Sequence, residues 1–573
     1  MAELPEDFVP ETAAEAILVR LKQHDIDYLF ANAGTDFAPV IEIYSKNQQA
    51  DLPIPTPVIA PHETAAVAMA HGYYLATGKP QAVMVHVNVG LANALMGIIN
   101  AASDNIPIFL MAGRTPATEG ARLGARSLPI HWGQDMRDQS AIVREFVKWE
   151  YELKLPEQGP DLVDRGYAIA MSQPRGPIYL GLPREALGGS WPDDVPFGPQ
   201  RHAVSSPPAP DPDTVAVIVD AMIAAKNPMI IAQRGDPDGR LADALASFAE
   251  NFAIPVCEFW PSGNVLPTDH AMHMGFDPGQ LLPDADLVIV LDAMVPWLET
   301  WAKPDPAAKV IQVGADPLFS RVPVRGFRSA VNLTADPAAA IAALDKALSQ
   351  NKDAFAGSVK QRHSDLSKRS QARLEEAASK ATIAEGSIMT AAFVSKTLSD
   401  CLPDDARIFS ELGCDPSFMR FTAGNRYHSH ALAGGLGWGM PAALGASLAD
   451  RSQVTVACVG DGSYMFANPV ACHQIAEANN LPLLTVVFNN GVWNAVRKTT
   501  LMMYPDGHAS RANTVPMSEL APNPDFAMIA AASRGWSRRI ENGSDLAAAI
   551  REAIEVVTEE KRQALLEVVV SQN

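Results

Sequence analysis

Residues 459–490 read VGDGSYMFANPVACHQIAEANNLPLLTVVFNN, and this stretch decides the fold of the last third of the chain. The apolar run 454–459 ends in Gly460-Asp461-Gly462, and a second apolar run, 483–488, ends in Asn489-Asn490. This order predicts a strand, a helix and a second strand. In an open parallel sheet, ligands bind at the carboxyl ends of the strands. We therefore expect the two polar clusters to meet in space.

The residue types in these clusters suit a metal-bound diphosphate. Asp461 and Asn490 offer a carboxylate and an amide oxygen, which are hard ligands for Mg²⁺ together with phosphate oxygens and water. The glycines let the backbone approach a phosphate closely. GDG by itself also fits a buried turn with an aspartate at a helix start. The asparagine pair that follows residues 463–488 favours the metal site.

Composition narrows the class of protein. With 573 residues, the chain is expected to form two to four domains. Hydrophobic residues make up 47% and charged residues 19%, as in ordinary globular proteins. The formal net charge of −20 argues against nucleic acid or an anionic membrane surface as a partner. An anionic cofactor must therefore be bound by local dipoles and metal.

The compartment is predicted to be the cytoplasm. The first residues are acidic where a signal peptide would be basic, and no run approaches the ~20 apolar residues of a membrane span. The five cysteines show no C-x-x-C spacing, so packed thiols are favoured over disulfides or zinc ligands.

Alternation of helical patterns and short apolar runs predicts three consecutive α/β domains, each a doubly wound parallel sheet. A proline-rich stretch, 190–213, reads as a linker, and the mixed-charge stretch 352–380 reads as a solvated helix. The predicted domains are residues 1–190, 205–350 and 383–573.

A second group of motifs lies in the first domain and just before the GDG stretch. Glu63 follows an apolar run and begins a helical pattern, where a carboxylate can serve simply as a favourable N-terminal charge. The motifs are HETAAVAMAHGYYLATGKP (62–80), NVGLANALMGIINAASDNIPIFLMAG (88–113), RGPIYLGLPRE (175–185) and AGGLGWGMPAALGASLA (433–449).

Together with the GDG and NN clusters, these motifs resemble thiamin-diphosphate enzymes of the acetolactate synthase and benzoylformate decarboxylase group. The likeness covers most of residues 12–190 and 385–573. It implies a pyrimidine-binding domain, a central domain and a diphosphate-binding domain. It also implies at least a dimer, a homodimer or homotetramer, because in relatives the two ends of the cofactor site come from different subunits. Whether the central domain binds FAD stays open.

The resemblance assigns the cofactor residues. Asp461, Asn490 and the carbonyl of Val492 are expected to hold Mg²⁺, and Glu63 to hydrogen-bond the pyrimidine ring and promote loss of the C2 proton. Leu436 matches the apolar wedge that bends the cofactor. The remaining expected cofactor contacts are Gly413, Cys414, Gly462, Ser463 and Trp493.

Four residues are candidates on the substrate side. His86, twenty-three residues after Glu63, matches a proton-transferring histidine of benzoylformate decarboxylase, although a histidine at a strand end is also a common core residue. Thr35 stands where that enzyme has a serine that touches the substrate carboxylate. Arg114 departs from the family's glutamine and could pair with a carboxylate or phosphate. His131 lies near residues that line the site in relatives.

The sequence therefore predicts a Mg²⁺- and thiamin-diphosphate-dependent enzyme that acts on a small 2-oxo acid. Decarboxylation and carboligation both stay open, because either a proton or a second carbonyl compound can complete the reaction. A 2-hydroxyacyl-CoA lyase and a non-catalytic regulator with the same fold are the alternatives. A nicotinamide-dependent dehydrogenase is disfavoured, since no G-x-G-x-x-G follows the first strand.

Overall fold

A computed structural model describes Leu4 and residues 8–351, 356–512 and 514–572. These residues form three sheets of six, five and six strands, and every strand pair is parallel. The predicted class, three doubly wound parallel-sheet domains, is confirmed. The start of the first predicted domain, positions 352–355 of the predicted charged helix, and Asn573 at the end of the third domain lie outside the described residues.

The first sheet has the strand order β2-β1-β3-β4-β6-β5. Its strands are β1 Tyr28–Ala31, β2 Thr56–Ile59, β3 Ala82–Val85, β4 Phe109–Arg114, β5 Glu150–Glu152 and β6 Ile178–Pro183. Its helices are α1 Ala13–Gln23, α2 Ala38–Ala50, α3 Glu63–Thr77, α4 Val87–Ser103, α5 Ile130–Gly133, α6 Gly159–Met171 and α7 Arg184–Leu187. The order reverses between β1 and β3, which makes their carboxyl ends a ligand-binding crevice.

The second sheet has the order β11-β10-β9-β7-β8. Its strands are β7 Pro228–Ala232, β8 Val256–Glu258, β9 Leu287–Leu291, β10 Lys309–Gly314 and β11 Val331–Thr334. Its helices are α8 Pro212–Ala224, α9 Arg240–Phe252 and α10 Pro337–Ser349, followed by α11 Ala356–Lys380.

The mixed charge of residues 352–380 predicts a helix exposed to solvent on all sides, and this prediction is wrong for one face of α11. Leu366 is buried in the core of the second sheet, and the Arg362 guanidinium donates to the carbonyls of Phe252 and Ala253. Long basic side chains bury their aliphatic stems while their polar ends bond to the backbone. One face of this charged helix therefore packs on the central domain.

The third sheet has the order β13-β12-β14-β15-β17-β16. Its strands are β12 Arg407–Glu411, β13 Tyr427–Ser429, β14 Thr455–Gly460, β15 Leu484–Asn489, β16 Trp536–Ile540 and β17 Ala564–Val569. The helices in this part of the chain are α12 Ala391–Cys401, α13 Gly439–Ala449, α14 Asp461–Phe466, α15 Pro469–Ala478, α16 Asn494–Met503, α17 His508–Ala512, α18 Phe526–Ala532 and α19 Gly543–Thr558.

The chain forms two compact units: residues 1–207 with 431–449, and residues 208–430 with 450–573. Helix α13 therefore belongs with the first sheet, where it crosses α3. A Cβ atom on Gly72 would lie 1.9 Å from the carbonyl oxygen of Ala442, and one on Gly445 would lie 1.9 Å from that of Met69. Only glycine at both positions allows the two helix backbones to touch.

Among the described helices, none is both long enough and apolar enough to span a membrane.

Candidate active site

The two polar clusters at the ends of β14 and β15 do meet. The strands are paired with Gly460 opposite Phe488, so both clusters leave the same edge of the sheet. Asp461 Oδ2 accepts a hydrogen bond of 2.8 Å from the Gly491 N–H, and Asp461 Oδ1 accepts one of 2.8 Å from the Gly462 N–H. The sequence prediction of this juxtaposition is confirmed by the geometry.

The donor set at this edge suits a small divalent cation. Asp461 is only 2% exposed, burial raises the pKa of its carboxyl group, and no cationic side chain of the described chain forms an ion pair with it. Asn490 Oδ1 accepts a hydrogen bond of 3.0 Å from the Val492 N–H. This bond fixes the Asn490 side chain against the loop that follows it. A buried carboxylate without a counter-charge, an amide and a carbonyl are ligands that fit Mg²⁺.

Two glycines allow close packing beside this donor set. A Cβ atom on Gly462 would lie 3.1 Å from the Trp493 ring. One on Gly413 would lie 2.4 Å from the Cys458 carbonyl carbon, so only glycine fits between the strands there. Ser463 and Cys414 are both buried next to these glycines. The expected cofactor contacts of this unit therefore cluster, and they fit a metal-bound diphosphate.

Glu63 is the first residue of α3 and is 8% exposed. Its Oε2 accepts a hydrogen bond of 3.2 Å from Asn93 Nδ2 on α4. Gly90, one turn earlier on α4, keeps the space beside Oε1 open, since a Cβ there would lie 3.2 Å from that oxygen. Glu63 is thus a buried carboxylate with one amide donor, which suits sharing a proton with a ring nitrogen.

The same helix positions the expected wedge, Leu436. Asn100 Nδ2 donates to the Gly435 carbonyl at 2.8 Å, and Asn100 Oδ1 accepts from the Gly435 N–H at 3.0 Å. Asn93 and Asn100 are two turns apart on α4, so the contacts to Glu63 and to the wedge loop are separated by about 10 Å along the helix. Helix α4 therefore contacts both Glu63 and the loop that carries Leu436, the expected wedge.

His86 pairs with a residue that the sequence analysis missed, Asp36. His86 Nδ1 lies 2.6 Å from Asp36 Oδ1, and Asp36 Oδ2 accepts from the Val87 N–H at 3.1 Å. The hydrogen bond that His86 donates to Asp36, with the charges of Asp36 and Glu63, raises the pKa of His86 against the opposing effect of burial. A histidine held in this way stays protonated to higher pH.

Two glycines make room for the His86–Asp36 pair. A Cβ on Gly34 would lie 2.1 Å from His86 Nδ1, and one on Gly113 would lie 1.8 Å from Asp36 Oδ2. Val87 has a φ of +34°, which a β-branched residue rarely adopts. Backbone strain of this kind concentrates at functional sites. Asp36 could have been suspected from its place directly after Thr35, but its partner lies fifty residues away.

A segment after β4 covers the other side of His86. Gln134 Nε2 lies 3.2 Å from His86 Nε2. His131 is 2% exposed, and its Nδ1 accepts from the Ser127 N–H at 3.1 Å. Burial lowers the pKa of His131, and nearby arginine charges lower it further. His131 is therefore a neutral, packed imidazole, in contrast to His86.

Thr35 and Arg114 have different surroundings. Thr35 is exposed at the turn that also carries Asp36. The guanidinium of Arg114 contacts Glu152 at 3.3 Å, lies 3.8 Å from Asp135, and donates to the Met136 carbonyl. Arg114 thus ties the covering segment to β5, and its charge is already countered by two carboxylates.

Three family models match the chain. The model of the thiamine pyrophosphate enzyme N-terminal TPP binding domain matches residues 11–142. The central-domain model of the same enzymes matches residues 215–344, and the C-terminal TPP binding domain model matches residues 411–568.

Individual proteins are similar over nearly the whole chain. A probable 2-ketoarginine decarboxylase of Pseudomonas aeruginosa is 26% identical over 93% of this chain and 90% of its own length. Benzoylformate decarboxylase of the same organism is 26% identical over 83% of this chain and 85% of its own length. The solved thiamine diphosphate-dependent 4-hydroxybenzoylformate decarboxylase of Rhodococcus jostii has the same fold, with a TM-score of 0.77, 20% identity and coverage of 98% of this chain and 99% of that one.

Proposed function

The chain belongs to the thiamine pyrophosphate enzymes, and on that premise we propose that it is a Mg²⁺-dependent decarboxylase of a 2-oxo acid, with His86 as the proton donor. Release of CO₂ leaves a carbon that must take up a proton or join a second carbonyl compound. The first outcome gives an aldehyde and the second gives a carboligation product. The side chain that faces this carbon decides between them.

The observation that carries the proposal is the hydrogen bond between Asp36 and His86. A carboxylate on Nδ1 orients the imidazole and stabilises its protonated form, so a proton is available near neutral pH. Glu63 lies in the same compact unit and its charge also acts on His86. A proton held on His86 would be available to complete the reaction, and this would favour the aldehyde.

When bound, the cofactor would supply the carbon nucleophile and take up the electron pair that stays behind when CO₂ leaves. In this chain, Glu63 would share a proton with the pyrimidine ring, and Leu436 would support the bent form. Asp461, Asn490 and the Val492 carbonyl would hold Mg²⁺ on the diphosphate. Exchange of the Glu63 proton requires a carboxyl group, because an amide cannot lose one in the same way.

The proposed substrate class, a 2-oxo acid, is supported by the substrates named for similar decarboxylases. The 2-ketoarginine and benzoylformate named for two similar decarboxylases are 2-oxo acids with very different tails. Their shared head group supports a 2-oxo acid for this chain, with Thr35 beside its carboxylate. Arg114 and His131 would shape the pocket through the segment they hold, because the charge of one is countered and the other is neutral.

We also propose a cytoplasmic homo-oligomer, either a dimer or a tetramer. The five cysteines are all free thiols, as is usual in a reducing compartment. Several large apolar side chains of the diphosphate-binding domain are exposed, as at a subunit interface: Met502, Met503, Tyr504 and Met517. Light scattering of the purified protein tests the oligomer.

The test of function is product analysis with a panel of 2-oxo acids that includes pyruvate and benzoylformate. The protein, loaded with thiamin diphosphate and Mg²⁺, is expected to release CO₂ and one equivalent of the matching aldehyde. Acetolactate from pyruvate, with no free aldehyde, would replace the decarboxylase by a carboligase. Absence of CO₂ from every acid in the panel would refute both.

A further inference from the structure

Asn523 lies in the loop before α18 and contacts the expected metal site. Its side-chain Nδ2 donates to Asn489 Oδ1 at 2.7 Å and to Asp461 Oδ2 at 3.2 Å. Asp461 is the expected Mg²⁺ ligand, and Asn489 precedes the second expected ligand, Asn490. One amide group therefore links both halves of the metal site.

The orientation of this amide is determined by a buried carboxylate. Glu567 on β17 is fully buried, and its Oε1 accepts a hydrogen bond of 2.7 Å from Asn489 Nδ2. A carboxylate is only an acceptor, so Asn489 must direct its nitrogen to Glu567 and its oxygen to Asn523. Asn523 must in turn direct its nitrogen towards Asn489 and Asp461. The Glu567 side chain thus orients two amides in succession.

This chain of hydrogen bonds leaves the side-chain oxygen of Asn523 without a donor. Asn523 Oδ1 is buried and has no hydrogen-bond partner among the residues that the structure describes. Two flanking prolines, Pro522 and Pro524, restrict the backbone of this loop, and the two hydrogen bonds of Nδ2 hold the Asn523 side chain. A buried carbonyl oxygen without a donor costs free energy, and such an atom in a native site usually has a ligand or water as its partner.

We propose that Asn523 is a positioning residue of the metal–diphosphate site. Its amide nitrogen holds the Asp461 carboxylate in place, and its free Oδ1 accepts a hydrogen bond from a water molecule on the hydrated cation. Mg²⁺ keeps several of its waters when it binds to proteins, so acceptors next to its ligands matter for its retention. The inference rests on the proposed Mg²⁺ and thiamin diphosphate site and adds a residue to it.

The experiment measures thiamin diphosphate binding to the full-length apoprotein by calorimetry over a series of Mg²⁺ concentrations. The variant Asn523→Ala is expected to raise the half-saturating Mg²⁺ concentration about 10- to 100-fold, as the loss of an outer partner of a metal ligand typically does. The thermal midpoint of each apoprotein is measured in parallel. A purely structural asparagine would lower that midpoint and leave the Mg²⁺ dependence unchanged.

The matched control is Asn542→Ala in the same domain. Asn542 is exposed before α19 and makes no side-chain hydrogen bond to that helix. This control is expected to stay within about two-fold of the wild type, as for most surface substitutions. An Asn523→Ala protein that also stays within two-fold, while Asp461→Ala loses binding, overturns the inference.

A second variant, Asn523→Asp, serves if the alanine variant does not fold. It places a second carboxylate beside Asp461, and a cation should relieve their repulsion. Mg²⁺ with cofactor is then expected to raise the thermal midpoint by more than it does in the wild type. An equal rise in the two proteins contradicts the proposal.

The same variants distinguish an incorrect role for Asn523 from an incorrect proposed function. If Asp461→Ala binds cofactor like the wild type, the metal site itself is wrong. If Asn523→Ala weakens Mg²⁺-dependent binding but the wild type releases no CO₂ from any 2-oxo acid, the role of Asn523 stands and the assigned reaction does not.

Discussion

Asp36 Oδ1 and His86 Nδ1 are 2.6 Å apart, at the carboxyl edge of the first sheet. Asp36 follows β1 and His86 follows β3, and these strands are neighbours although β2 separates them in sequence. The pair therefore exists because of the strand order. It gives the histidine a fixed orientation and a raised pKa, and both properties are needed in a proton donor.

Replacing Asp36 by Asn should change the pH dependence of decarboxylation. In the proposed mechanism the protonated form of His86 is the active one, so wild-type activity should fall as the pH rises through the raised pKa of this imidazole. Without the carboxylate, this fall should move to lower pH, and kcat at neutral pH should decrease. A kcat profile from pH 5 to 9 measures both effects. An alkaline limb that stays in place would show that Asp36 does not act through His86.

Adding one methyl group at Gly113 should disturb the Asp36–His86 pair by displacing Asp36. A Cβ there would lie 1.8 Å from Asp36 Oδ2, so Asp36 or the strand must move. Gly113→Ala is expected to lose about 1–3 kcal/mol of stability through overpacking and to lower kcat. Gly120→Ala is the matched control, because nothing lies within 4 Å of its added methyl. Denaturant unfolding and kcat are measured for both, and equal behaviour of the two variants contradicts the prediction.

Replacing Glu63 by Gln should separate cofactor binding from turnover. The amide can still hydrogen-bond the pyrimidine ring and Asn93, but it cannot exchange a proton, so turnover should fall at least 100-fold, within the range for general acid–base groups of about 10²–10⁴. Calorimetry should show thiamin diphosphate affinity close to that of the wild type. Wild-type turnover in this variant would remove Glu63 from the mechanism.

Replacing Asp461 by Ala should abolish retention of the cofactor in the presence of Mg²⁺. The variant loses the one carboxylate of the donor set and also the acceptor for the Gly491 N–H. Gel filtration of the loaded protein, followed by assay of bound thiamin diphosphate and Mg²⁺, measures retention. If the cofactor stays bound in stoichiometric amount, the metal assignment is incorrect.

Much of the fold could be predicted because its signals are local. The strands that frame the GDG and NN clusters were visible as apolar runs ending in polar residues, and the structure places them at 455–460 and 484–489. Helix α3 begins at Glu63, where the pattern changes from an apolar run to a helical one. The family motifs around these positions named the cofactor, because each motif is a short contiguous stretch.

Three parallel-sheet domains and the enzyme family could thus be read from contiguous motifs, while the cofactor residues named from the same motifs stay predictions. Which distant side chains meet depends on the tertiary structure: Asp36 pairs with His86, Asn523 with Asp461, and Arg114 with Glu152, which counters the charge that a substrate would otherwise meet. The physical reason is that hydrophobic periodicity reports the face and length of an element, while the partner of a polar side chain depends on strand order and loop path. Those are set by the packing of the whole chain, and no spacing along the sequence contains them.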